Sequence, residues 1–211
     1  MSSAAPFVVF GYGSLIFKPP PHVVHKVPGF LKGYVRRFAQ SSHDHRGWLI
    51  GLQDPGRVVT LVHKEDWDLF SGSDAFPDED IVWGVAYTID PAFETDVRSY
   101  LDYREKDGYT METMPIHGVV DGSETIIIPN CYVGRKDNPS FIGSEPLPEL
   151  ARRIWLSVGP SGPNKSYLYN LADAVRELAP ESHDSHLFAL EVCSFLRIRY
   201  KTDDECASEF S

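Results

Sequence analysis

Apolar residues change their prevailing spacing along this chain. Through most of the first two-thirds they come as short continuous or alternating runs, and through the last third they recur every three to four residues. The first pattern places side chains on the faces of strands and the second lays them in a stripe along helices. Strands followed by helices, without a repeating strand-helix alternation, predict an α+β fold.

The strand candidates are residues 7–10, 33–40, 58–62, 81–89, 109–117 and 125–133, which suggests a sheet of about six strands as the frame. Residues 7–10 (FVVF) run without a break into Gly11-Tyr12-Gly13-Ser14, so they read as a buried strand entering a tight glycine turn. Residues 18–22 hold three consecutive prolines and form an irregular connection that caps an edge. Residues 64–80 carry Gly72, Pro77 and many acidic side chains without periodicity, and read as a solvated loop with no chemistry.

Asp90-Pro91 opens a helix on which Phe93, Val97, Tyr100 and Leu101 recur at helical spacing, and Asp107-Gly108 stops it. Further helices are expected over 146–158, over 164–178 with the stripe Leu168, Leu171, Val175 and Leu178, and from His183 towards Tyr200. At 211 residues and 42% hydrophobic content, one core is affordable, so a single domain over 1–211 is expected. Its ordered part should span about 7–200, with a frayed tail from Thr202.

The formal net charge is −10, with the basic residues scattered. Such a surface offers no cationic face to a phosphate backbone or an anionic bilayer, and no apolar run reaches spanning length. Neither nucleic acid nor a membrane is an expected partner. Cys131, Cys193 and Cys206 are odd in number and far apart, which fits neither a disulfide framework nor a CxxC pair and points to the cytoplasm or the nucleus. The histidine pairs His22/His25, His43/His45 and His183/His186 lack a further ligand at metal spacing, so they read as surface residues and no metal or other cofactor is expected.

Ser14 lacks the following glycine of a nucleophile elbow, and its turn lacks the lysine of a phosphate-binding loop. What the turn offers is a group of backbone amides at a strand end, which suits an anion or oxyanion, although taken alone a plain turn is the favoured reading. Glu105 falls near a helix C-terminus, where the macrodipole opposes a carboxylate and such groups usually face water. Tyr12, Tyr109 and Tyr167 are compatible with half-buried core tyrosines.

Taken together, GYGSLIFKP at 11–19, SHDHRG at 42–47, PGRVVTL at 55–61, YLDYREKDGY at 100–109 and GPSGPNKSYL at 159–168 resemble, in order and spacing, the motif series of the ChaC-like, glutathione-specific γ-glutamylcyclotransferases. The resemblance runs from about Phe7 to Tyr200 and implies a small mixed β-barrel flanked by α-helices. It implies an enzyme that cyclises the γ-glutamyl group of reduced glutathione and releases 5-oxoproline and Cys-Gly. It places the proton-handling carboxylate at Glu105, with a raised pKa, and the substrate at Tyr12, Gly13, Ser14 and Leu15. More distant γ-glutamylcyclotransferases carry tyrosines at places similar to Tyr109 and Tyr167. Arg46, Arg57 and Asn164 match motif positions to which no role attaches, and Ala39 departs from an aromatic residue common among relatives. Two alternatives stay open: lactam formation from other γ-glutamyl amino acids or amines, and a γ-glutamyl-peptide-binding module without catalysis. No oligomeric state is implied.

Overall fold

The computed structural model describes residues 6–46, 55–70, 72, 74–76, 79–104, 109–134 and 137–200, with the side chains of 43–46 and 195–200 outside that description. Strand β1 (Val8–Gly11) is followed by β2 (Val23–Lys32), β3 (Tyr34–Arg46) and β4 (Pro55–His63), then by helix α1 (Lys64–Asp68) and β5 (Ile81–Ile89). A 3-10 turn at Pro91–Phe93 leads into α2 (Glu94–Arg104). Four short strands follow: β6 (Tyr109–Thr113), β7 (Ile116–Val120), β8 (Ser123–Ile127) and β9 (Asn130–Gly134). The chain closes with α3 (Leu147–Leu156), the small pair β10 (Val158–Gly159) and β11 (Gly162–Pro163), α4 (Asn164–Leu178) and α5 (Ser185–Tyr200).

Seven strands form one sheet in the order β6-β9-β1-β5-β2-β7-β8, while β3 and β4 form a separate antiparallel pair. The sheet is mixed, because β1 runs parallel to β9 and antiparallel to β5. It is open, since β6 and β8 lie at opposite ends of the strand order, so the word barrel applies to it only loosely. β1 lies between β9 and β5, which accounts for its unbroken apolar sequence: Val9 and Phe10 are buried in different clusters.

Strand β2 has no counterpart among the sequence expectations, because Pro28 and Gly29 argue against a central strand. It is paired along its length with β5 but meets β7 only at Gly29 and Phe30, which leaves most of one edge where proline is tolerated. At that meeting a Cβ on Gly29 would lie 2.7 Å from the His117 carbonyl oxygen, so a glycine lets the two backbones approach. The expected strands 109–117 and 125–133 are each two strands, broken between β6 and β7 and between β8 and β9. The helix expected from Asp90 is present through Arg104, and its stop at Asp107-Gly108 lies outside the described residues.

The expectation of a solvated loop over 64–80 is corrected by the structure. Trp67 of α1 is 2% exposed and packs with Val35, Ala39 and Val62, so its body fills space beside the small Ala39. Its indole donates to Asp74 over 2.6 Å, and the same carboxylate accepts from Arg37 at 3.1 Å. Arg37 also pairs with Glu79 at 2.8 Å. His186 is likewise no surface residue: it is buried beside Arg37, Trp67 and Asp74 and accepts from the Phe38 amide. Burial, and then the Arg37 cation, push its pKa down to about 3, so it is neutral across the ordinary range. Sequence periodicity misses this network because most of its members are polar and Arg37 and His186 reach Asp74 from distant segments.

The helices lie over the sheet and the β3/β4 pair. Leu168, Leu171, Ala172 and Val175 of α4 face Leu150, Ala151 and Ile154 of α3 and Leu187, Leu190 and Cys193 of α5 in one cluster. No helix among the described residues is long and apolar enough to cross a membrane.

Candidate active site

The glycine turn begins where β1 ends. Gly11 is needed for its tightness, because a Cβ there would lie 2.6 Å from Cβ of Leu15. The Ile16 amide then donates to the Gly13 carbonyl at 3.0 Å and the Lys18 amide to the Ser14 carbonyl at 2.8 Å, closing a single helical turn. The amides of Gly13, Ser14 and Leu15 donate to no acceptor among the described residues. Three successive amides in that state, at the start of a helical turn, are donors open to an acceptor.

Neighbouring tyrosines hold the turn in place. The buried Tyr87 hydroxyl donates to the Leu15 carbonyl at 2.9 Å, and burial pushes its pKa up to about 12, so it remains a donor. Tyr12 donates to the Tyr132 carbonyl at 2.7 Å, and the Tyr132 hydroxyl donates to Asp102 of α2 at 2.7 Å. The Tyr12 proton is thereby committed to the backbone, and its ring forms wall.

A cavity of about 330 Å³ opens against this turn, within the range used by small ligands. Its lining includes Tyr12, Gly13, Ser14, Leu15, Tyr109 and Tyr167, residues that arrive from three separate parts of the chain. Tyr109 comes from β6 and donates to the Val59 carbonyl at 3.2 Å. Tyr167 comes from α4, where it sits one position before the buried Leu168 and so at the margin of the apolar stripe. A Cβ on Gly13 would lie 2.9 Å from Cγ2 of Val59 and 3.2 Å from the Tyr167 hydroxyl. Glycine at 13 therefore lets β4 and α4 close over the turn backbone. Glu105 lies outside the described residues.

Several wall residues carried no assignment in the sequence. Gln40 and Ser42 are buried on the same face of β3 and line the cavity, as do Ser161 and Asn170. Their signal was a polar residue at alternate strand positions after the apolar Phe38, which by itself does not separate cavity from solvent. Arg104 is a further member: its Nη2 donates to the Ser14 hydroxyl at 2.6 Å and its Nη1 to the Lys18 carbonyl at 3.2 Å. The described side chains of the lining include two cations, Lys18 and Arg104, and no carboxylate.

Arg57 and Asn164 acquire a role from the fold. Asn164, fully buried at the start of α4, accepts from the Arg57 amide at 2.7 Å and donates to the Arg57 carbonyl at 2.9 Å. Its amide thus pairs with β4 as another strand would, and fixes α4 against Val58 and Val59 of the cavity wall. The Arg57 guanidinium pairs with Glu145 at 2.7 Å, and Glu145 in turn binds Arg153 of α3 at 3.1 Å. The side chain of Arg46 lies outside the described residues.

The fold is shared with γ-glutamyl cyclotransferases of known structure. A crystal structure of the yeast γ-glutamyl cyclotransferase specific to glutathione superimposes with a TM-score of 0.81 at 32% identity, covering 92% of this chain and 97% of that one. The family model described as ChaC-like protein matches residues 7–195, and the chain belongs to that family. A glutathione-specific γ-glutamylcyclotransferase of Schizosaccharomyces pombe is 45% identical over 185 residues, 87% of this chain and 89% of its own length. The protein of the same name from Saccharomyces cerevisiae is 36% identical over 201 residues, 81% and 85% of the two chains.

Proposed function

We propose that this protein is a glutathione-specific γ-glutamylcyclotransferase, converting glutathione to 5-oxoproline and Cys-Gly. The observation that carries the proposal is the row of amides at Gly13, Ser14 and Leu15, which have no acceptor among the described residues and line one cavity with Tyr109 and Tyr167.

In a γ-glutamyl peptide the free α-amine and the γ-carbonyl belong to one residue. When its side chain folds back, the amine nitrogen attacks the γ-carbonyl carbon, a five-membered lactam forms, and the bond to the cysteine nitrogen breaks. No water is consumed and no bond to the protein is made. Because nucleophile and electrophile are already joined, holding the bent conformer supplies much of the acceleration, up to about 7–11 kcal/mol in well-oriented systems. Leu15, Tyr12 and the tyrosines of β6 and α4 form the walls of that restraint.

Two proton transfers remain. The α-amine, with an ordinary pKa of about 7.7–8.0, attacks in its neutral form, and the departing nitrogen gains a proton. Glu105 takes the ammonium proton and gives it to the leaving nitrogen, and the second proton, which the ring nitrogen sheds as the lactam forms, passes by the same carboxylate to the released amine, while the amides of residues 13–15 hold the oxyanion. Support for the assignment of Glu105 comes from its place in the YLDYREKDGY motif and from the preceding residue, Arg104, whose side chain lies in the cavity wall. Tyr109 and Tyr167 orient the substrate's polar ends.

The test is incubation of the purified chain with reduced glutathione, γ-glutamylalanine and a γ-glutamylamine, measuring 5-oxoproline and the released partner. Turnover of glutathione alone is expected. Turnover of the other compounds at comparable rates would move the specificity to γ-glutamyl amino acids or amines, and binding without 5-oxoproline would leave a non-catalytic module. A cytoplasmic location belongs to the same proposal, and fractionation of cells with detection of the protein tests it.

A further inference from the structure

The turn carries a second charged element that the cyclisation itself does not use. Lys18 is exposed, lines the mouth of the cavity, and makes no ion pair among the described residues. Its backbone is fixed from both sides: its amide donates to the Ser14 carbonyl at 2.8 Å and its carbonyl accepts from Arg104 at 3.2 Å. Its ammonium lies 5.9 Å from the centre of the Phe17 ring, and the three prolines that follow restrict the chain beyond it. A fixed backbone roots the side chain beside the cavity, so the ammonium meets an anion there by side-chain rotation alone.

We propose that the Lys18 ammonium receives the glycine carboxylate of glutathione and thereby favours it over γ-glutamyl compounds that end in a neutral group. The assignment rests on the cyclotransferase activity proposed above. With the γ-carbonyl at the amides of residues 13–15, the Cys-Gly half spans about 7 Å when extended. From Ser14 to Lys18 the chain advances one helical turn, about 6 Å. Laid along the turn, in the cavity that Ser14 and Lys18 both line, that half brings its terminal carboxylate within reach of the lysine side chain. Elsewhere the protein is strongly acidic, so a local cation at the mouth is what offsets repulsion of an anionic substrate.

The experiment compares kcat/KM for glutathione with that for glutathione esterified at the glycine carboxyl, in the wild type and in Lys18→Met and Lys18→Arg. The wild type is expected to prefer the free acid by about two- to fivefold, the range of an exposed ion pair, with the preference shrinking at raised salt. Lys18→Met should bring the two substrates to near equality and Lys18→Arg should restore the difference. Thermal melting of both variants checks that an exposed substitution leaves the fold intact. If Lys18→Met keeps the wild-type ratio while turning over glutathione, the lysine assignment is overturned and the activity stands. If the wild type forms no 5-oxoproline from glutathione, both fall together.

Discussion

The Arg104 guanidinium donates from Nη2 to the Ser14 hydroxyl across 2.6 Å, joining the last residue of α2 to the glycine turn. Ninety positions separate the two residues in the chain. With Nη1 on the Lys18 carbonyl, the planar fork spans both ends of one helical turn. A lysine at 104 would keep the charge and lose the two-pronged grip. Arg104→Lys is expected to lower kcat/KM about tenfold, and Ser14→Ala to lower it similarly, since a hydrogen bond to a charged group contributes about 1.5–3 kcal/mol. The double variant should lose less than the sum of the two, and a double-mutant cycle on kcat/KM measures the difference. Simple additivity would mean the contact does not position the turn.

Replacing Glu105 by Gln keeps the shape and removes the proton carrier. The expected outcome is a fall in kcat of about 10²- to 10⁴-fold with little change in binding of a non-cleavable glutathione analogue. Steady-state kinetics and calorimetric titration give the two quantities. Turnover near the wild-type rate in a folded Glu105→Gln protein would remove Glu105 from the mechanism.

Asn164→Ala would strip both partners from the buried backbone of Arg57. Two unsatisfied polar groups cost about 2–6 kcal/mol together, so a clear drop in Tm is expected. Because the same pairing seats α4 beside Val59, activity should decline even at temperatures where the variant is folded. Thermal unfolding followed by circular dichroism, with kinetics well below Tm, separates the two effects.

His186 gives the fold a signed dependence on pH. Its folded pKa of about 3 lies below the ordinary value of 6.5, so the unfolded chain binds the proton more readily. Stability from this residue is present above pH of about 6.5 and falls as pH drops toward 3, by up to about 1.4 kcal/mol per unit. Asp74 is also held low: burial opposes ionisation, but Arg37 and the Trp67 indole outweigh it, so its contribution too is lost in acid. Glu79, raised mainly by burial, acts in the opposite sense and partly offsets the slope. Urea unfolding of the wild type and of His186→Gln between pH 7 and 5 isolates the histidine: the variant should show a distinctly flatter dependence. Parallel curves would mean that His186 titrates normally.

The alternation of strand spacing, the Gly11 and Gly13 turn and the apolar stripe of α4 were legible because each depends on residues adjacent or one turn apart. Period and glycine placement act locally, so the chain encodes them in order. The α+β class and the bounds of α4 followed directly from them. The position of β2 did not, because Pro28 and Gly29 weaken its local pattern and its pairing with β5 supplies the ladder.

The cavity belongs to the tertiary structure alone. Tyr12, Tyr109 and Tyr167 look alike as half-buried tyrosines, and only the packing of β1, β6 and α4 makes them walls of one space. Asn164 could be read as a polar helix start until β4 supplied the backbone it mirrors. The burial of Asp74 and His186 likewise depends on Arg37 arriving from β3. A side chain's neighbours in sequence set its conformation, but the free energy of burying charge or exposing an amide is set by groups that only the folded chain brings near.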